Sequence, residues 1–404
     1  MTIRTRPWVA GRALPVLIAT ASMILTAACG ATVTGAPTPG MTPVALDGLD
    51  VGLLATEPKK FELNISTHWD VYSLESRRMF EYLVSPHQVD PDFKYLDKSE
   101  LMVAGGNAGA LLPAEFGPIL EKNYLVSGVI TARGNNRPRE GRQMITGLMR
   151  FGNEEYARAA AEQFGATADT ISPGRLPVQL TGHNDAHAAI TSSRDRAQVF
   201  VAMGSYVVIG LIATPPDRSA QLEPLMTAFL DLQSSAISDL TPTPPDDILD
   251  QPLDPGGLMR KTLQSESPPP AAHGGLVGVY PAAGHIHFEY DAEALPDYSR
   301  FGVDSVARHE TIVYRTGSLS QAFALQTVLS RPGKYDEKIA QPPGIADAQC
   351  VMRDTTTTMF DSHVCVLVYD RYVAVIGGSG MSTLADPELY QRAAAQYTLL
   401  ANSR

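Results

Sequence analysis

The chain has 404 residues, a formal net charge of −11 and 44% hydrophobic residues. So acidic a body excludes sequence-independent nucleic-acid binding, which needs a basic footprint, and it argues against a body lying flat on anionic lipid. Beyond residue 29 about 375 residues remain, too many for one small core and enough for two domains.

Residues 13–25 form an apolar run after Arg4, Arg6 and Arg12. The run is too short to span a bilayer, which takes about 20 residues, and fits the core of an export signal. It ends in Leu25-Thr26-Ala27-Ala28-Cys29, which resembles the lipobox of bacterial lipoproteins, with Thr26 where Leu is usual. The expectation is a lipoprotein signal over 1–28 and a diacylglyceryl group on Cys29. Lipid chains add about 0.8 kcal/mol per buried methylene, enough in pairs for a stable anchor. Two other outcomes fit the same residues: release after Ala28, or retention of an uncleaved anchor. Residues 29–48 read as a flexible tether, rich in Gly, Ala, Thr and Pro.

The body begins with Leu49-Asp-Val-Gly-Leu-Leu, read as a short strand. Residues 71–84 have helical spacing, with Pro86 beyond their end. Strands are expected at 124–132 and 144–151. A helix follows over 154–164, capped by Asn153 and closed at Gly165. A meander covers 186–192, 197–203 and 206–213, with Gly204-Ser205 as a hairpin turn. A helix over 221–235 ends the first module, placed at 49–240. Residues 241–271 are Pro-rich and polar and read as a linker.

The second half, 272–404, returns the same order. Strands are read at 276–280 and 309–315, and a helix at 320–329. A meander over 348–353, 364–369 and 372–377 and a closing helix over 388–400 follow. Arg150 and Arg315 stand 165 residues apart, and Tyr206 and Tyr372 stand 166 apart. The fold class is therefore read as α+β. Two related modules of antiparallel sheet with packed helices use the order β-α-β-β-β-α twice, the first with an insertion near 66–126. The competing reading is chance recurrence of common elements.

Cys350 and Cys365 remain once Cys29 is assigned. Outside the cytoplasm they read as one disulfide across an antiparallel pair, with two free thiols as the alternative. At the 166-residue offset, Cys365 matches Val199. The bridge lacks the spacing of a redox site.

Several constellations could carry chemistry. His285-Ile-His287-Phe-Glu289 would put three ligands on one face of a strand. His183 and His187 have metal-ligand spacing, but Pro177 and Gly182 argue for a loop. Ser379 in Gly377-Gly-Ser-Gly-Met lacks the second glycine of a nucleophile turn. Gly105-Gly-Asn-Ala-Gly lacks the lysine of a phosphate loop. Asp90 and Asp92 are too few for a calcium loop. Trp69, Tyr72, Phe80 and Tyr82 suit either core packing or a cleft. No catalytic residue, metal or cofactor is assigned.

The lipobox, the Pro/Thr tether, Glu75-Ser-Arg-Arg-Met-Phe-Glu-Tyr-Leu-Val, Val89-Asp-Pro-Asp and the Met149-Arg-Phe strand together resemble a family. It is a two-domain family of exported lipoproteins of unknown function from mycobacteria, nocardiae and their relatives. The resemblance implies the cell envelope and an α+β body, and it implies no catalytic residues. The reading is a non-enzymatic protein held to the outer face of the cytoplasmic membrane by its lipid. It would bind an envelope lipid, glycan or protein, with the cleft between modules as one location. A hydrolase with an unrecognised site and a structural scaffold remain alternatives.

Overall fold

The computed structural model describes residues 40–103, 109–271, 277–292, 297–354, 362–378 and 386–403. Cys29 and the whole of the export signal lie outside them. So do Gly105 to Ala108 and Ser379.

The first module runs α1 (His68–Met79), α2 (Pro86–Val89), β1 (Tyr95–Val103), α3 (Gly117–Lys122), β2 (Leu125–Gly134), β3 (Gln143–Phe151) and α4 (Glu154–Ile171). It continues with β4 (Leu176–Pro177), β5 (His187–Ile190), β6 (Arg196–Met203), β7 (Tyr206–Ala213) and α5 (Leu222–Ala236). The second runs β8 (Gly278–Pro281), α6 (Ala282–His285), β9 (Ser305–Arg308), β10 (Ile312–Arg315) and α7 (Leu319–Leu329). It ends with β11 (Glu337–Ile339), β12 (Gln349–Met352), β13 (His363–Tyr369), β14 (Tyr372–Gly378) and α8 (Pro387–Asn402).

Each module holds a seven-stranded antiparallel sheet, ordered β1-β2-β3-β7-β6-β5-β4 in the first and β8-β9-β10-β14-β13-β12-β11 in the second. The two orders are the same, strand for strand. The two sequence landmarks are in fact bonded partners. Arg150 lies opposite Tyr206, and Arg315 lies opposite Tyr372. The repeat is thus real at the level of register. Its unit is longer than expected, because three strands of each sheet precede the equivalent helices α4 and α7. Of the strand expected at 309–315 only Ile312–Arg315 is extended, as β10; His309 to Thr311 form the turn back to β9, which was not among the expected strands. β1, inside the stretch read as inserted, holds the sheet position that β8 holds in the other module.

Both sheet faces are covered. In the first module α4 and α3 pack on one face, around Phe116, Phe164 and Phe200. α5 and the end of α1 pack on the other, around Phe229 and Phe80. In the second module α7 covers one face and α8 the other. Local signals explain the helix starts. Asn153 accepts from the Tyr156 N–H, and Ser318 accepts from that of Gln321. Thr67 and Asp70 form a reciprocal capping box on α1. Gly165 does not end α4, which runs on to Ile171. A Cβ there would come within 3.1 Å of the His187 Cβ, so the glycine serves close helix-on-strand packing.

The strand expected from Leu49 is absent. Residues 46–48 form a 3-10 turn, and Gly52 has φ +56. Leu49 and Phe61 instead join the core of the second module. Gln391 of α8 donates to Asp50 at 2.9 Å, and Thr42 binds Asp347 through its N–H at 2.6 Å and its hydroxyl at 2.7 Å. An arm that precedes the first module in sequence therefore packs on the second. The Pro-rich stretch is pinned as well. Its Thr241 and Ala271 carbonyls accept from Arg78 and Arg77, and the Thr243 N–H donates to Glu75.

Cys350 and Cys365 face each other across β12 and β13 and form a disulfide, with Cα atoms 4.1 Å apart. In the first module the matching cross-strand pair is Ala188 and Val199. Cys350→Ala with Cys365→Val installs that pair and removes the bridge while leaving apolar side chains in place. Closing a loop of this size stabilises by ~3 kcal/mol in the chain-entropy model. The double variant should unfold at correspondingly lower denaturant; an unchanged midpoint would show that the bridge is no staple.

Candidate functional site

The region with the densest polar chemistry is the seam where the modules meet. Two arginines of the first module reach across it to main-chain carbonyls. Arg77, on α1, donates through Nε to Val277 at 2.8 Å and through Nη2 to Ala271 at 2.6 Å. Its Nη1 binds Ser73, so the side chain is fully engaged. Arg133, on β2, has no exposed surface. It donates to the carbonyls of Ile286 at 2.6 Å, Glu289 at 2.8 Å, Lys94 at 2.9 Å and Tyr290 at 3.4 Å. Neither guanidinium has an ion-pair partner among the described residues. Burial lowers the pKa of both, that of Arg133 to about 10, against the opposing pull of Glu289 and Asp291. Both stay charged at neutral pH.

The segment that Arg133 holds also completes the first sheet's edge. The Leu96 N–H donates to Tyr290 at 2.8 Å, and the Ala292 N–H donates to Lys94 at 2.9 Å. The Ser99 hydroxyl donates to His287 at 2.6 Å. β1 would otherwise present an open edge, which proteins commonly cover.

Structure corrects the reading of His285 to Glu289. These residues are not a strand. Ala282–His285 is a short helix, and residues 286–288 continue it as a 3-10 turn. Pro281, the last residue of β8, stands at the N-cap in extended conformation, and the helix begins at the next residue. The helical period joins positions four apart and separates those two apart. His285 Nε2 therefore meets Glu289 Oε1 at 2.7 Å, while His287 turns away to the Leu83 carbonyl at 2.9 Å. The Tyr314 hydroxyl donates to the same Glu289 oxygen at 3.0 Å. Burial alone would raise the Glu289 pKa, but the hydrogen bond from His285 and nearby cations bring it to about 2. Burial lowers both histidines, His287 to about 3 with Arg133 adding to the effect.

The remaining candidates separate. His183 binds Asp231 at 2.8 Å in a loop, and His187 opens β5. Asp90 and Asp92 pair with Arg142 at 2.8 and 2.9 Å. Phe80 is buried against Phe288, with ring centroids 4.9 Å apart, and so belongs to the core across the seam. Among the described residues no group of three His, Cys, Asp or Glu side chains could hold a metal ion. No described helix is long and apolar enough to cross a membrane.

Beside the seam lies a pocket of ≈ 260 Å³ that the sequence did not reveal. Leu74 and Glu81 come from the first module and Val277 and Val279 from the second, with Phe61 from the arm and Leu253 from the linker. Its lining is mainly apolar. Partial burial raises the Glu81 pKa, against the pull of Arg78. Arg78 itself bridges to Glu75, and Arg150 closes on Glu75 at 2.9 Å. The missed signal is long-range: four segments far apart in sequence build the pocket.

Repeated sheets, clasped by buried arginines around an apolar pocket, define a tandem two-module α+β protein. The chain belongs to a family described as a domain of unknown function, DUF7373. The family's N-terminal model matches residues 64–253 and its C-terminal model residues 258–403. No curated protein and no solved structure matches the chain.

Proposed function

We propose that this protein is a lipid-anchored component of the cell envelope that holds a small apolar ligand in the pocket between its modules. The pocket itself carries this reading: an apolar cavity with a few polar groups at its rim is the usual form of a small-molecule site. The export signal and Cys29 support the location. A lipid at Cys29 and a short tether would keep the pocket near the membrane, where apolar ligands are concentrated.

The test is native mass spectrometry of the protein purified from its own envelope. Wild type should carry a co-purifying apolar molecule. Val279→Trp, which fills the pocket from β8, should lose it while melting normally. Cys29→Ser should accumulate with its leader still attached and without lipid, a mass different from that of the processed wild type. An empty wild-type protein, or a ligand retained in Val279→Trp, would count against the pocket; a Cys29→Ser protein processed as wild type is would count against the lipid anchor.

A further inference from the structure

The repeat gives an internal control for a second cavity, of ≈ 240 Å³, in the second module alone. It lies on the sheet face under α7, and its floor is Ile312, Val364 and Val375. In the first module α4 covers the corresponding face. There α4 has 18 residues and is about 27 Å long, matching β7, whose eight residues span about 27 Å. α7 has 11 residues and is about 16 Å long, whereas the seven residues of β14 span about 23 Å. Running back over the sheet, α7 stops short of its far end. Leu329, its last residue, forms the cavity wall.

One side chain changes character along with the helix. Arg308 lies opposite Ile312 in β10, as Ile130 lies opposite Gly147 in β3. Gly147 and Ile312 stand at the 165-residue offset, so their cross-strand partners Ile130 and Arg308 hold equivalent places in the two sheets. Ile130 is fully buried in the core under α4. Arg308 instead lines the cavity, its guanidinium 5.1 Å from the centre of the Phe288 ring. Arg353 lines it as well. Neither guanidinium makes a side-chain hydrogen bond or a close ion pair among the described residues, and the charge of Arg308 acts on Glu289 only from a distance. Two carboxylates share the lining. Glu310 is drawn to Arg392 at 3.7 Å, and Oε1 of Glu289 is taken by His285 and Tyr314.

We propose that this cavity binds an amphipathic anion, with one phosphate or carboxylate head held by Arg308 and Arg353 and an apolar portion laid on Ile312, Val364 and Val375. Arginine suits such a head because its planar fork matches both oxyanions. The site is independent of the pocket between the modules.

Calorimetric titration of the full chain in phosphatidylcholine nanodiscs tests it, with octyl phosphate, octanoate, inorganic phosphate and octyl glucoside as probes. Octyl phosphate or octanoate should saturate one site, and the tighter of the two names the head group. Inorganic phosphate should bind at least roughly ten-fold more weakly, and octyl glucoside should give no saturable signal. Arg308→Gln and Arg353→Gln should each weaken binding roughly ten-fold, about 1.4 kcal/mol. Arg308→Lys, which keeps the charge, should recover part of the loss and guards against a merely unfolded variant. Val279→Trp should change nothing, which separates this site from the other. The proposal fails if neither anionic amphiphile saturates, if inorganic phosphate matches octyl phosphate, or if the two Gln variants bind as wild type does.

Discussion

Arg133→Met should cost about 3–5 kcal/mol of stability, the range for removing one partner from a buried charged interaction. The four carbonyls that Arg133 serves do not suffer equally. Those of Lys94 and Tyr290 keep a backbone donor, from Ala292 and Leu96. Those of Ile286 and Glu289 lose the donors that Nη2 supplies, at 2.6 and 2.8 Å. A buried acceptor left unpaired costs about 1–3 kcal/mol. Against this, the methionine is spared the desolvation that pulls the Arg133 pKa down to about 10. The loss should win, because main-chain carbonyls cannot be exchanged for apolar groups. Arg133→Lys should recover less than half, since one ammonium cannot reproduce a planar fork. Urea denaturation followed by far-ultraviolet circular dichroism measures both. A methionine variant within about 1 kcal/mol of wild type would mean the clasp is dispensable.

The same clasp shows why the sequence was only partly legible. Strands and helices with strong local periodicity, such as 144–151, 197–213 and 388–400, were placed within a few residues, because neighbours in sequence decide them. The repeat was legible because Arg150 and Tyr206, and Arg315 and Tyr372, are bonded pairs whose spacing survives as an offset. The disulfide followed from the same meander. What failed was decided at a distance. His285 to Glu289 alternates like a strand, but Pro281 and the seam set a helical turn. Leu49 looked like the start of the first module, yet it packs in the core of the second. Both pockets escaped notice because each needs segments that only the fold brings together. Arg308 is unusual only by comparison with Ile130, which holds the equivalent place in β2.

Acid should weaken the protein over a pH range that points to the seam. His287 is neutral in the folded chain, its pKa pushed down to about 3 by burial and by Arg133, whereas an exposed histidine titrates near 6.5. A lowered histidine pKa means the unfolded chain takes up the proton first. The stability tied to His287 is therefore intact above pH 6.5 and is lost as pH falls toward 3, with the unfolded state binding more protons throughout. Each unit is worth about 1.4 kcal/mol, so pH 4.5 should cost about 3 kcal/mol from this residue alone. His285 and His309 shift in the same direction through burial and steepen the loss. Glu289 contributes lower, between the ordinary carboxylate value of 4.5 and about 2. Measurements between pH 7 and 5 thus isolate the histidines. His287→Gln removes the titration and retains a donor for the Leu83 carbonyl. It should flatten the dependence of urea midpoint on pH by about a third to a half of its wild-type slope. An unaltered slope would place the acid sensitivity elsewhere. The protonated ring would face Arg133 and the Phe80 ring, so the charge arises inside the clasp that joins the modules. The pocket lined by Leu74 and Val279 is built by that union. Acid should therefore open this pocket before either sheet unfolds.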